Sequence, residues 1–240
     1  VFKQEEIIGK KIADTTYVNT YNLISYKYFL RGNYDSAYYF ANEAELRSIS
    51  GNNFKGTGIA YLRKGFIETE KGNFPNAIEL FNKALVIFVE NDNKKEQANA
   101  LGSLAGVYTE LGNFEKALDF YLQTVAMFES INDTKGLSNS YINIGILYAG
   151  QGNYDMALEY LLKAVPYKEK IGEKHGLAAL YGNLGIMYAN VAARDRDTND
   201  VNQSIFYLEK SLVLKEELGD LVSIAASSAT LGGVCFNLLR

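Results

Sequence analysis

The side chains with catalytic or ligating chemistry are few and stand apart. His175 is the single histidine and Cys235 the single cysteine of the 240 residues. A nucleophilic site needs a nucleophile, a base and a group that orients the base. Here the one imidazole falls in Glu173-Lys174-His175-Gly176, a polar link that predicts a solvated side chain. Cys235 lies in an apolar run and is expected to be a buried small side chain, not a reactive thiol. One cysteine also rules out an intrachain disulfide framework or thiolate cage. Asp195-x-Asp197-x-Asn199 opens like a calcium loop, but Asp200 stands where such a loop needs glycine and Phe206 where it needs glutamate. A solvated loop is the expectation there. No G-x-x-x-x-G-K-[ST] or G-x-G-x-x-G phosphate loop occurs. The residues therefore predict no enzyme, no metal and no cofactor.

Charge and composition narrow the class further. Lys and Arg total 24 against 28 Asp and Glu, a formal charge of −4, whereas nucleic-acid binding calls for a basic excess. Hydrophobic residues at 48% and charged residues at 22% match a folded globular chain. The uncharged stretches Gly176–Ala193 and Leu221–Leu239 approach spanning length, yet Asn, Ser and Gly interrupt them, and both are expected to be core helices. Membrane insertion of this segment is not expected. Val1–Lys11 has no apolar leader core and no initiator methionine, so the chain is expected to start after a removed leader or inside a longer protein. The compartment stays open between cytoplasm and periplasm.

What must position any binding residues is a repeat. Gly32-Asn33-Tyr34, Gly72-Asn73-Phe74, Gly112-Asn113-Phe114 and Gly152-Asn153-Tyr154 recur every 40 residues. An alanine follows each glycine by five positions (Ala37, Ala77, Ala117, Ala157), and Ser25, Gly65, Ala105 or Gly145 precedes it by seven. A fifth copy, with Gly185 and Ser204, is lengthened by seven residues near 192–198, and a half-copy with Gly232 follows. The expected repeats run about 18–57, 58–97, 98–137, 138–177, 178–224 and 225–240. Within each copy, apolar residues at i, i+3, i+4 and i+7 predict two helices. The Gly-Asn pair predicts the turn between them, glycine closing one helix and asparagine capping the next. Pro75 suits a first helical turn, whereas Pro166 falls inside a helix and should kink or stop it.

These residues resemble the tetratricopeptide repeat. The fourth copy shows the pattern as Tyr141, Ile144-Gly145, Tyr148, Gly152-Asn153-Tyr154, Ala157, Leu161 and Ala164. Tyrosines 21, 61, 141 and 181 stand where the family has tryptophan. The period is 40 and not 34, the six extra residues falling in links such as Ile131–Gly136 and lengthening the helices. HEAT repeats share the period but not the Gly-Asn-Tyr turn. The longer form is similar to arrays in kinesin light chains, in peptide-responsive bacterial regulators and in the sensor portions of bacterial signalling proteins.

The resemblance implies an all-α solenoid, a right-handed superhelix, whose first helices line a concave groove that takes a peptide or protein segment. Carried over position by position, the groove residues are Asn19, Asn22, Arg63, Asn99, Ser103, Asn139, Asn143 and Asn183. A carboxamide donates and accepts, so it can pair with both groups of a peptide bond. The alternative is that these asparagines are hydrated or bridge neighbouring helices. With Arg63 and Lys27 as the basic candidates, a clamp for a carboxylate tail is not expected. The implied role is the input part of a bacterial signalling or regulatory protein; the alternative is a free-standing adaptor that assembles or self-associates. The apolar C-terminal end, Leu238 and Leu239, is expected to be covered by further chain or by a partner.

Overall fold

The computed structural model describes the backbone of residues 2–238 and the side chains of residues 15–236. Leu238 and Leu239, expected to need a cover, lie outside the described side chains. Among the described residues there are eleven helices and no strand. They are α1 (Phe2–Phe29), α2 (Tyr34–Ser50), α3 (Phe54–Glu70), α4 (Phe74–Glu90), α5 (Lys94–Glu110), α6 (Phe114–Ser130), α7 (Thr134–Gly150), α8 (Tyr154–Ile171), α9 (Lys174–Asp195), α10 (Thr198–Leu218) and α11 (Leu221–Leu238). The chain forms two compact units, Val1–Met127 and Phe128–Arg240.

Two kinds of tight turn alternate. After the odd-numbered helices, Gly32, Gly72, Gly112 and Gly152 take φ of 69° to 74°, the left-handed region where a Cβ is costly. Asn33, Asn113 and Asn153 then accept from the backbone N–H three residues on, at 3.1 to 3.3 Å, and cap the next helix. Asn73 donates instead to Glu68 (2.8 Å), and Pro75 occupies the helix start. After α2, α4 and α6 the left-handed residue is Asn52, Asp92 or Asn132 (φ 48° to 53°), and Asn53, Asn93 or Asp133 caps, whereas after α8 and α10 it is Gly172 or Gly219 (φ 71° and 67°). The six extra residues per repeat are thus spent on helix: α3 to α7 all have 17 residues joined by three-residue turns.

Two expectations change. Pro166 does not stop its helix, since α8 continues to Ile171. Pro166 faces solvent, where its ring is accommodated and its missing N–H exposes only one carbonyl. The seven-residue lengthening near 192–198 is not a loop either. It extends α9 to Asp195, closes at Arg196 in the left-handed region (φ 57°), and restarts as α10 at Thr198 with Asp197 as cap. Buried Ala192 and Val201 explain the preference: the added turns carry apolar faces into a cluster with Leu208 and Val234.

Packing follows the alternation of small and large side chains. A Cβ on Gly65 would meet the Phe81 ring at 2.5 Å, on Gly145 Leu161 at 2.7 Å, and on Gly185 Leu208 at 2.6 Å. Each glycine is therefore a socket for a large residue of the following helix. Where serine replaces alanine in these columns it ties helices together. Ser25 donates to the Ala37 carbonyl, Ser204 to Gly185 and Ser211 to Ala178, each at 2.7 Å and buried. Aromatic pairs repeat beside the sockets: Tyr28–Phe40, Tyr108–Phe120, Tyr148–Tyr160 and Tyr188–Tyr207 stack at 5.5 to 5.7 Å.

Candidate interaction surface

In the first unit, α1 packs on α3 and α3 on α5, so the odd-numbered helices form one layer. A hollow of about 320 Å³ opens on that layer, lined by Ile59, Leu62, Arg63, Phe66, Glu96, Asn99 and Ser103. Three of the eight residues expected from the sequence therefore share one site. Arg63 lies with its guanidinium 4.5 Å from the centre of the Tyr26 ring. Burial pulls its pKa down, and Tyr26 and Glu96 push it back up. Its Nε is buried with no hydrogen-bond partner among the described residues. Asn99 donates to Glu96 (2.9 Å), and the Ser103 hydroxyl donates to the Asn99 carbonyl (2.8 Å). The hollow thus has an apolar floor with one cation and one anion at its rim.

Asn19 is exposed on α1. Asn22 is not on the surface. It is buried at the α1–α3 contact and donates to the Gly56 carbonyl at 3.3 Å. Gly56 permits this approach: a Cβ there would lie 2.4 Å from Val18. Its Oδ1 is buried with no hydrogen-bond partner among the described residues.

In the second unit, Asn139, Asn143 and Ile146 occupy one stripe of α7, and Asn183 and Ile186 repeat the register on α9. Asn139 accepts from the buried Lys168 ammonium at 3.1 Å, so its oxygen is engaged within the protein. Asn143 is exposed and Asn183 half-buried, and neither makes a hydrogen bond among the described residues. Beside them Ile146 is 50% and Ile186 40% exposed, an apolar contribution that the carboxamide pattern alone did not disclose. Leu23 and Tyr26 are likewise exposed on α1. All four fall outside the columns that interlock paired helices, and that is the signal by which they could have been found. Glu96 was missed because one helix pattern does not show which residues of the next helix face it.

The residues weighed for other chemistry have local duties. Asp195 and Asp155 both accept from Arg194 at 2.7 to 3.0 Å, and these bonds hold the two carboxyls below their usual range. Asp197 caps α10 by accepting from the Asn199 N–H at 2.8 Å. Among the described residues no group of three or more His, Cys, Asp or Glu is placed to hold a metal ion. His175 is exposed and Cys235 half-buried. No helix among the described residues is long and apolar enough to cross a membrane.

Comparison with solved structures gives the same architecture. A protein of P. vanneervenii, BtubC (BKLC), superposes with a TM-score of 0.67 at 16% identity, over 89% of this chain and 92% of that one. Aspartyl phosphate phosphatase F from Bacillus subtilis gives 0.75 at 14% identity, over 91% of this chain and 56% of its own. The apo form of RapI gives 0.66 at 19%, over 84% and 54%. This chain thus spans about half the length of the latter two. No curated protein matches the sequence significantly. The tetratricopeptide repeat model matches residues 56–130 and 136–191, more than half of the chain. Such repeats are typically non-enzymatic modules that bind protein or peptide partners. With glycine sockets, Gly-Asn turns and stacked helix pairs all in that pattern, the chain belongs to the tetratricopeptide repeat family, an α-solenoid protein-interaction module.

Proposed function

We propose that this chain binds an extended peptide or protein segment along the faces of α7 and α9, and that it performs no catalysis. The observation that carries this reading is the repeated pair of an unengaged carboxamide and a solvent-facing isoleucine, Asn143 with Ile146 and Asn183 with Ile186. An amide that both donates and accepts pairs with a peptide bond, and the adjacent isoleucine takes apolar side chains. Between Gly136 and Gly150 and between Gly176 and Ala193 there is no charged residue, so the surface suits a partner recognised by backbone and apolar groups.

The physiological role we propose is the input part of a bacterial signalling or regulatory protein. The likeness in fold to an aspartyl phosphate phosphatase over about half of that protein supports it. A free-standing adaptor is the second reading, favoured by the likeness to BtubC over 92% of that chain. The test of binding is Asn143→Ala combined with Asn183→Ala. Each hydrogen bond contributes about 1 kcal/mol, so capture of the natural partner should weaken roughly 30-fold while helix content and melting stay the same. Unaltered capture would place the site elsewhere.

A further inference from the structure

The hollow on α3 and α5 holds two opposite charges that are both short of partners. Arg63 makes no hydrogen bond and no ion pair among the described residues. Its Nε is enclosed, its terminal nitrogens stay open to the hollow, and the Tyr26 ring, 4.5 Å away, fixes the plane of the guanidinium. The Glu96 side chain is only 16% exposed. It accepts from Asn99 at 2.9 Å, and its other charged neighbour is the exposed Lys55 at 3.9 Å. Glu96 lies near enough to offset part of the pull of burial on the Arg63 pKa, yet the two form no ion pair with each other among the described residues. A charge removed from water without a partner is costly, and a ligand of opposite charge relieves that cost. The floor between the two charges is apolar, made of Ile59, Leu62 and Phe66. Forty residues after Arg63 and Phe66, α5 carries Ser103 and Gly106, small residues that leave the space open. Its volume of about 320 Å³ is at the small end of ligand pockets, which run from about 300 to 1,000 Å³.

We propose that this hollow binds a free α-amino acid with a large apolar side chain. A carboxylate alone would face Glu96, and an amine alone would face Arg63. An α-amino acid carries both charges on one carbon, so it gives each protein charge its opposite and bridges the gap that Arg63 and Glu96 leave between them. The terminal nitrogens of Arg63 donate to the ligand carboxylate, Glu96 accepts from its ammonium, and Ile59, Leu62 and Phe66 take its side chain out of water. The backbone of a peptide segment carries neither charge, which sets this site apart from a peptide groove. The inference goes beyond the peptide reading, which concerns α7 and α9, and stands or falls separately from it.

Isothermal titration calorimetry of the 240-residue chain with free L-leucine, L-isoleucine, L-methionine and L-phenylalanine tests the proposal. At least one of the four should bind saturably at a single site. Its N-acetyl derivative lacks the ammonium and its carboxamide lacks the carboxylate, so each should bind at least about tenfold more weakly, the value of one charged hydrogen bond. Arg63→Met should weaken the free amino acid by the same factor. Glu96→Gln should weaken the free amino acid and leave the N-acetyl derivative unchanged, a selectivity that a merely structural role of Glu96 would not move. The blocked ligands serve as the test if a variant does not fold. No binding by any of the four, or equal binding of free and blocked forms, overturns the proposal. Tighter binding of the N-acetyl form does so too, because the hollow would then take the carboxyl end of a peptide.

Discussion

Leu161 of α8 occupies the space a side chain on Gly145 of α7 would need. A Cβ there would stand 2.7 Å from Leu161 Cγ and 3.2 Å from the Ala157 carbonyl oxygen. Gly145→Ala is therefore expected to destabilise by about 1–3 kcal/mol through overpacking, even though alanine is the better helix former by up to about 1 kcal/mol. Combined with Leu161→Ala, the penalty of the alanine at 145 should shrink markedly, a coupling that urea titration of the four proteins would measure. Additive costs would show that the two residues do not interlock.

The two turn types predict opposite responses to glycine. Gly152 holds φ of 74°, so Gly152→Ala should cost about 1 kcal/mol. Asn132 holds φ of 53° without being glycine, so Asn132→Gly should be neutral or stabilising by up to about 1 kcal/mol. Thermal melting of the two variants checks both signs.

Tyrosine in place of the family's tryptophan gives the fold a high-pH limit. Burial, then the nearby Glu129, pushes the Tyr141 phenol from 10.0 up to about 12, and its hydroxyl donates to Glu129 at 3.2 Å. A group whose pKa is raised by folding stabilises fully below its unfolded value and loses that stability as pH climbs through the folded one. The contribution of Tyr141 is thus intact below about pH 10 and fades between about 10 and 12. Denaturant titrations above pH 10 should show a shallower loss for Tyr141→Phe than for the parent. An identical loss would remove Tyr141 from the explanation.

Asn22 and Asn143 lie on neighbouring stripes of equivalent helices, yet one is buried and the other free. Asn22→Ala should therefore lower stability by about 1 kcal/mol through the lost bond to the Gly56 carbonyl, and Asn143→Ala should not. The comparison of melting curves is direct, and an unstable Asn143→Ala protein would contradict it.

That contrast marks what the sequence made legible. The period of 40, the Gly-Asn turns and the columns of Ala37, Ala77 and Ala157 follow from chain-local rules, so the helix pairs and their interlock could be read in advance. The burial of Asn22 could not, because it depends on how closely α1 approaches Gly56 on another helix. Pro166 was read correctly as lying inside a helix, but that it would not stop α8 could not be read, because its cost depends on whether its side of α8 faces solvent. The segment opening with Asp195-x-Asp197-x-Asn199 read as a solvated loop, but buried Ala192 and Val201 draw all but the turn at Arg196 and Asp197 into helices. At the proposed interaction surface the carboxamides were visible as a pattern. Ile146 and Ile186 became visible only once the packing columns were filled by other residues.

The most direct test of the account is site-specific photo-crosslinking in the native cells. A photoreactive residue would replace Ile146 or Ile186 on the odd-numbered helices, or the exposed Glu159 of α8. Adducts of one partner from positions 146 and 186, and none from 159, are the predicted result. Adducts from 159 with none from 146 or 186 would contradict it and move the interaction to the other helices.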